Sequence, residues 1–148
     1  MTNRILAIDY GLKRMGLAVS DALGLTAQGL TTLERTRAED DLARIRDISV
    51  EYTVERVIVG HPVAKDGRET EMSRRVAQFA EKLRRRLPCP VELWDERLTS
   101  VEANRMLRGS GISIRKRQQA ADRVAATLLL QSYLDRQAYE RQRNAEAA

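Results

Sequence analysis

Three compact apolar runs open the chain and predict three β-strands. The runs cover residues 4–9, 15–20 and 26–33, and glycine-containing turns separate them. Connections this short cannot hold a crossover helix, so each strand is expected to pair antiparallel with the one before it. The first part of the chain therefore predicts an antiparallel meander.

Helical periodicity follows the meander. Apolar residues recur on one face of residues 38–52 and again of residues 70–87, and a strand-like run follows each segment, at residues 56–59 and 91–95. Pro88 ends the second helical pattern. Because a helix between two strands allows them to lie parallel, these segments predict two crossover units that extend the sheet.

The remaining elements are predicted to be helices. A short helix is expected over residues 100–107, and a long one from about residue 118 to residue 136 or beyond. The order βββαβαβαα predicts an α/β fold with one mixed sheet and helices packed on it. We expect a single domain over residues 1–138, followed by a polar tail at residues 139–148.

Acidic residues stand where three of these elements begin or end. Asp9 closes the first strand, Glu96 follows the strand at residues 91–95, and Asp122 lies near the start of the long helix. Ligands of α/β folds bind outside the carboxyl ends of parallel strands, so Asp9 and Glu96 are expected to meet there, with the Asp122 helix across the edge. Taken singly, each acid also fits a turn, an exposed ion pair or a helix cap.

Three carboxylates at one edge predict a divalent-metal site. Mg²⁺ and Mn²⁺ prefer carboxylate oxygens and leave positions for water and phosphate, and a pair of such ions supports phosphodiester hydrolysis. We therefore predict that Asp9, Glu96 and Asp122 are the catalytic residues and the ligands of two ions. Asp9 is the expected bridging ligand because it projects from a rigid central strand.

Basic residues near this site are candidates for binding substrate phosphates. The candidates are Lys13, Arg14, Arg97, Arg115, Lys116 and Arg117. The run at residues 115–117 is the strongest of them because it lies within two helical turns of Asp122. His61, the only histidine of the chain, follows a strand at the same edge, where a structural role in the turn is the more common explanation.

Charge and cysteine content narrow the class of protein. The 26 Lys and Arg residues against 21 Asp and Glu give a formal charge of +5, which is compatible with a polyanionic partner, although a codon bias would enrich arginine equally well. The single Cys89 excludes an internal disulfide and fits a reducing compartment. No run of about 18 apolar residues occurs. We expect a cytoplasmic protein with a nucleic-acid partner and no membrane association.

An ordered set of motifs resembles the YqgF family, which has been described both as pre-16S ribosomal RNA nucleases and as Holliday junction resolvases. The motifs are IDYG at residues 8–11, KRMGLAVSD at 13–21, VGHP at 59–62, DG at 66–67, DERLTS at 95–100, DRVAA at 122–126 and LQSYLD at 130–135. The resemblance covers the chain from about residue 4 to residue 135. His61 and Ser100 depart from it, at positions where an aliphatic residue and a threonine are common.

The resemblance implies a ribonuclease H-like fold with a mixed five-stranded sheet, whose first three strands are antiparallel, and helices on both faces. It places the acidic residues of the family at Asp9, Glu96 and Asp122. It also implies a metal-dependent endonuclease that matures the 5′ end of pre-16S ribosomal RNA. We expect a monomer or a homodimer, and the sequence does not determine which.

Three other functions stay open at this point. A Holliday junction resolvase would share the fold and the acidic chemistry but would cut branched DNA with paired sites. A non-catalytic nucleic-acid-binding or transcription-associated module would keep the fold without needing all three carboxylates. An actin-like ATPase or sugar kinase would use the turn after Asp9 to bind phosphate, but such enzymes need two domains.

Overall fold

The computed structural model describes residues 4–98 and 114–147, and within these ranges the side chains of residues 98 and 114–121 are left undescribed. The helix predicted at residues 100–107 lies outside the described residues. The elements are β1 Ile5–Asp9, β2 Arg14–Ser20, β3 Ala27–Gly29, β4 Leu33–Glu34, α1 Ala38–Glu51, β5 Arg56–His61, α2 Glu71–Arg86, β6 Val91–Asp95, a 3₁₀ turn Glu96–Leu98 and α3 Ile114–Ala147.

The strands form one mixed sheet in the order β3-β2-β1-β5-β6, with β4 also paired to β2. The pair β1 and β2 is antiparallel, whereas β1 with β5 and β5 with β6 are parallel. Both crossovers contain a helix, as the sequence predicts. The carboxyl ends of β1, β5 and β6 therefore lie at one edge of the sheet.

The third predicted strand, residues 26–33, is two strands in the structure, which raises the count in the sheet from five to six. Ala18 pairs with Gly29, and Met15 pairs with Leu33. The two paired positions are three residues apart on β2 but four residues apart on the opposite segment. An extra residue of this kind interrupts the hydrogen-bond ladder as a β-bulge does. The single strand predicted from apolar content is therefore wrong.

One face of the sheet packs against α1 and α2. Its core includes Leu6, Ile8, Val57 and Val59 from the central strands. The capping box at Thr70 fixes where α2 begins, because its Oγ1 accepts a hydrogen bond from the Ser73 amide at 3.0 Å while its own amide donates to Ser73 Oγ at 2.7 Å.

The other face packs against α3. Ala7, Ala18 and Ile58 face a buried row of that helix that includes Leu130 and Tyr133. The helix begins four residues before the predicted residue 118 and continues to Ala147, and its residues 138–147 are exposed. Within the described ranges, every helix is too short or too polar to cross a lipid bilayer.

Candidate active site

Asp9 ends β1 between two glycines on the neighbouring strands. Gly16 of β2 is its paired residue, and Gly60 of β5 follows Val59, which pairs with Ile8. Side chains alternate between the two faces of a strand, so all three positions face α3. The missing side chains of Gly16 and Gly60 leave space on both sides of the Asp9 carboxylate.

Glu96 occupies the space beside Gly60. It is the first residue after β6 and begins the 3₁₀ turn, and a Cβ placed on Gly60 would lie 2.4 Å from Glu96 Oε1. A residue with a side chain at position 60 would displace this carboxylate. The parallel pairing of β5 and β6 thus brings Glu96 to the Asp9 strand end.

Asp122 lies on the other side, where α3 crosses β2. A Cβ on Gly16 would lie 2.1 Å from the Asp122 backbone oxygen, so the close approach of helix and strand requires glycine there. Arg14 Nε donates to Asp122 Oδ2 at 2.9 Å, and both side chains are about three-quarters buried. The trio predicted from the sequence therefore meets at one end of the sheet.

Burial and the neighbouring acids control the ionisation of Asp9. Burial, a hydrogen bond with Glu96, and the negative charges of Glu96 and Asp122 raise the pKa of Asp9 from 3.8 to about 8. A carboxyl group surrounded in this way holds a proton at neutral pH. The site therefore has more negative charge than its own side chains neutralise.

Hard divalent cations fit this donor set because they bind carboxylate oxygens and replace a shared proton. Asp9 and Glu96 are in hydrogen-bonding contact, whereas Asp122 is engaged by Arg14. Over the described residues, no three acidic, histidine or cysteine side chains have the spacing of a metal site. The arrangement is therefore a hydrogen-bonded pair of Asp9 with Glu96, and the third carboxylate is held by an arginine.

The predicted phosphate contacts differ in how the structure employs them. Lys13 is exposed at the tip of the turn between β1 and β2. Arg97 Nε donates to Asp95 Oδ2 at 2.8 Å and its Nη1 donates to the Lys65 carbonyl oxygen at 3.2 Å, so it bridges to the loop after β5. The side chains of Arg115, Lys116 and Arg117 lie outside the described part of the chain.

His61 lies at the end of β5, paired with Asp95 of β6. Its position alternates with Gly60, so its side chain faces α1 and α2 rather than the carboxylates. Its Nε2 is buried and has no hydrogen-bond partner among the described residues. His61 thus stands apart from the acidic site.

Some contributors to the site carry no clear signal in the sequence. Gly60 precedes His-Pro in a strand-end turn, and only its pairing beside Asp9 reveals that it makes room for Glu96. The ion pair of Arg14 with Asp122 joins residues 108 positions apart. Apolar periodicity describes single elements, so neither contact follows from it.

Comparisons with known proteins agree with this fold. Residues 3–136 match the family model RuvX, described as Holliday junction resolvase. A protein of Koribacter versatilis named "Putative pre-16S rRNA nuclease" is 46% identical over 139 residues, which is 94% of this chain and 91% of the relative. A relative with the same name from Syntrophus aciditrophicus is 47% identical over 132 residues, 89% of this chain and 88% of that one.

Two solved structures share the fold. The RuvC protein of T. thermophilus in complex with a Holliday junction substrate aligns with a TM-score of 0.57 and 19% identity, covering 86% of this chain and 91% of that one. The Fowlpox virus resolvase in complex with Holliday junction DNA aligns with a TM-score of 0.55 and 13% identity, covering 89% and 97%. At these identities the likeness concerns the fold alone, which is the predicted ribonuclease H-like one.

Proposed function

The chain belongs to the RuvX family of Holliday junction resolvases, and from this premise we propose that it is a divalent-metal-dependent endonuclease that matures the 5′ end of pre-16S ribosomal RNA. A nuclease of this family hydrolyses phosphodiester bonds. The observation that carries the proposal is the meeting of Asp9, Glu96 and Asp122 at one end of the sheet, where burial and the two neighbouring acids raise the Asp9 pKa to about 8. The names of the relatives support ribosomal precursor as the substrate.

Each acidic side chain has a separate role in the proposed site. Asp9 on the central strand would hold the Mg²⁺ or Mn²⁺ ions together with Glu96 and Asp122. When bound, the ions would supply an activated water and neutralise charge on the phosphate. Arg14 would leave Asp122 and donate to a substrate phosphate instead, because a guanidinium suits either oxyanion.

Lys13, Arg97 and the run at residues 115–117 are the further phosphate contacts in this proposal. Phosphate contacts position a nucleic acid without reading its sequence. The chain would act as a monomer or homodimer in the cytoplasm, the compartment expected from its lone Cys89.

Resolution of Holliday junctions is the second candidate function. The family description and the junction complexes of two structural neighbours favour it. A resolvase cuts two strands symmetrically and so needs paired active sites. A protein that stays monomeric with its DNA bound would argue against this function.

A side-by-side cleavage assay separates the candidates. Labelled pre-16S precursor, a four-way DNA junction and plain duplex DNA would each be incubated with the protein and Mg²⁺ or Mn²⁺. We expect selective cutting of the precursor, and no cutting by Asp9→Asn, because a neutral amide is a poor substitute for a carboxylate as a ligand of a divalent cation. Asp47→Asn, an exposed residue of α1, is the matched control and should cut normally.

Each outcome of the assay has one interpretation. Selective cutting of the junction would replace the first candidate with the second. Equal cutting by Asp9→Asn would reject the proposed site. If the wild-type protein cuts none of the substrates but binds them, the chain is a non-catalytic nucleic-acid-binding module.

A further inference from the structure

A pocket lies at the end of β1, on the opposite side of the sheet from the carboxylates. It has a volume of about 180 Å³ and is enclosed by Tyr10 and by side chains of α1 and α2. Three cations line it, Arg35, Arg75 and Lys82, and the described residues of its wall include no carboxylate. The wall therefore offers guanidinium and ammonium donors to a bound anion.

Arg35 forms the floor of this pocket and is held in place from three directions. Its Nε donates to Asp41 Oδ2 at 3.0 Å, its Nη1 donates to the Gly11 carbonyl oxygen at 3.1 Å, and its guanidinium lies 4.7 Å from the centre of the Tyr10 ring. Tyr10 and Gly11 directly follow Asp9. The pocket floor is thus joined to the segment that carries the central carboxylate.

The rim of the pocket offers donors that the protein leaves available. Most cations of α2 are paired with carboxylates, as Arg84 is with Glu81 at 2.9 Å. Lys82 and Gln78 line the pocket, and neither has an ion-pair or hydrogen-bond partner in the described part of the chain. Arg75 is exposed and pairs with Glu71 at 2.9 Å, an exchangeable surface contact.

We propose that this pocket binds a backbone phosphate of the nucleic-acid strand that is cut. The inference rests on the proposed nuclease function. Tyr10 follows Asp9 and faces the opposite side of the sheet. The end of β1 therefore has carboxylates on one side and hydrogen-bond donors for a phosphate on the other. A nucleic-acid strand that crosses this edge would contact both sides, which fixes its direction across the site.

Paired charge deletions on α2 test the pocket. In an Asp9→Asn background, which permits binding without cleavage, Arg75→Ala with Lys82→Ala is compared with Arg74→Ala and Arg85→Ala. The second pair removes the same charge from the same helix outside the pocket. Affinity for labelled precursor and for the four-way junction would be measured across a range of salt concentrations.

We expect the pocket pair to reduce the salt dependence of binding by about 1 in the log–log slope, because lost phosphate contacts release fewer counterions. The control pair should leave the slope unchanged. In the cleaving protein, the pocket pair should raise KM with little change in kcat, since the contact holds substrate and transition state alike. Gln78→Glu, which adds a carboxylate to the wall, should also raise KM, whereas Gln142→Glu should not.

Equal slopes and equal KM values for the pocket and control pairs would overturn the phosphate site while leaving the nuclease intact. A wild-type protein that binds neither substrate would overturn the proposed function, and the site with it. Inorganic pyrophosphate supplies one more test. A pocket that binds a free phosphate compound instead of a nucleic-acid strand would give a different result. Pyrophosphate would then raise the melting temperature of the wild-type protein but not of Lys82→Ala, while the salt slopes of the pocket and control pairs stay equal.

Discussion

Asp9 and Asp41 are carboxylates on opposite sides of the sheet near the end of β1, and they ionise in opposite ways. Burial raises the pKa of Asp9 to about 8, assisted by Glu96 and Asp122. Burial would also raise the pKa of Asp41, but hydrogen bonds from Thr36 and Arg35 outweigh it and hold that pKa below its ordinary value. Asp41 is fully buried and still charged.

The difference shows that neighbours, more than burial, decide what a buried carboxylate does here. Asp41 is satisfied by an arginine at 3.0 Å and by the Thr36 amide at 3.0 Å, so it stabilises the start of α1. Asp9 instead has two acids, Glu96 and Asp122, as its charged neighbours, so a cation bound there would stabilise its ionised form. Asp41 serves the fold, whereas Asp9 is available for the metal ion that we propose it binds.

Asp41→Ala should have the largest effect on stability, because it leaves Arg35 beside an empty position. We expect a loss of about 3 kcal/mol in the free energy of unfolding, measured with urea at neutral pH. The stabilisation is present above the ordinary pKa of 3.8 and disappears as the pH falls through the lowered pKa of the folded state. Asp40→Ala, the exposed neighbour, should change little, and equal losses would contradict the distinction.

Gly16→Ala should disrupt the acidic side through its backbone. The added Cβ would meet the Asp122 carbonyl oxygen, so α3 must move, and we expect a loss of about 2 kcal/mol in stability. A shift of the helix by an ångström would lower kcat by about 100-fold.

Gly60→Ala is the matched variant, because its Cβ would meet the flexible end of Glu96 instead of backbone. It should lower cleavage while leaving the melting temperature nearly unchanged. Equal melting temperatures for the two glycine variants would show that the Asp122 backbone does not depend on Gly16.

Asp9→Asn should stabilise the metal-free protein, the reverse of the Asp41 result. The folded state binds the Asp9 proton more tightly than the unfolded state, so wild-type stability falls as the pH rises from about 4 to about 8. The amide avoids this penalty, and we expect a gain of at least about 1 kcal/mol at pH 8. Asp47→Asn should show no gain. A variant that is less stable than wild type at pH 8 would contradict the crowding of charge.

Arg14→Gln should have the smallest effect on stability, about 0.5 kcal/mol, because the glutamine amide can still donate a hydrogen bond to Asp122. Without the charge of the arginine, Asp122 would be free to bind the metal ion. We expect half-maximal cleavage at a lower Mg²⁺ concentration together with a higher KM for substrate. An unchanged Mg²⁺ requirement would mean that Arg14 does not compete with the ion.

Local patterns were enough to locate the ends of the elements that carry Asp9 and Glu96. A buried strand has a recognisable apolar run, and the residue that follows it lies at the sheet edge by necessity. The family motifs pointed to the same positions. The meander and the two crossover units were predicted for the same reason, since turn lengths limit how strands can pair.

Contacts between distant segments explain what the sequence did not predict. The division of residues 26–33 into two strands depends on how they pair with β2. At Gly16, β2 is also in close contact with α3. The phosphate pocket depends on how α1 packs beside α2 over Tyr10. Apolar periodicity predicts neither feature, because it shows only which face of an element is buried and not which elements contact each other.

The separation of 108 residues between Arg14 and Asp122 has a consequence for synthesis on the ribosome. The strands β1 and β2 emerge early, but the face that bears Ala7, Ala18 and Ile58 stays uncovered until α3 has been translated. A nascent chain that stops before α3 would lack both its second core and one of its three carboxylates. Under the proposed function, cleavage activity would therefore begin only after α3 has been translated and the protein can fold.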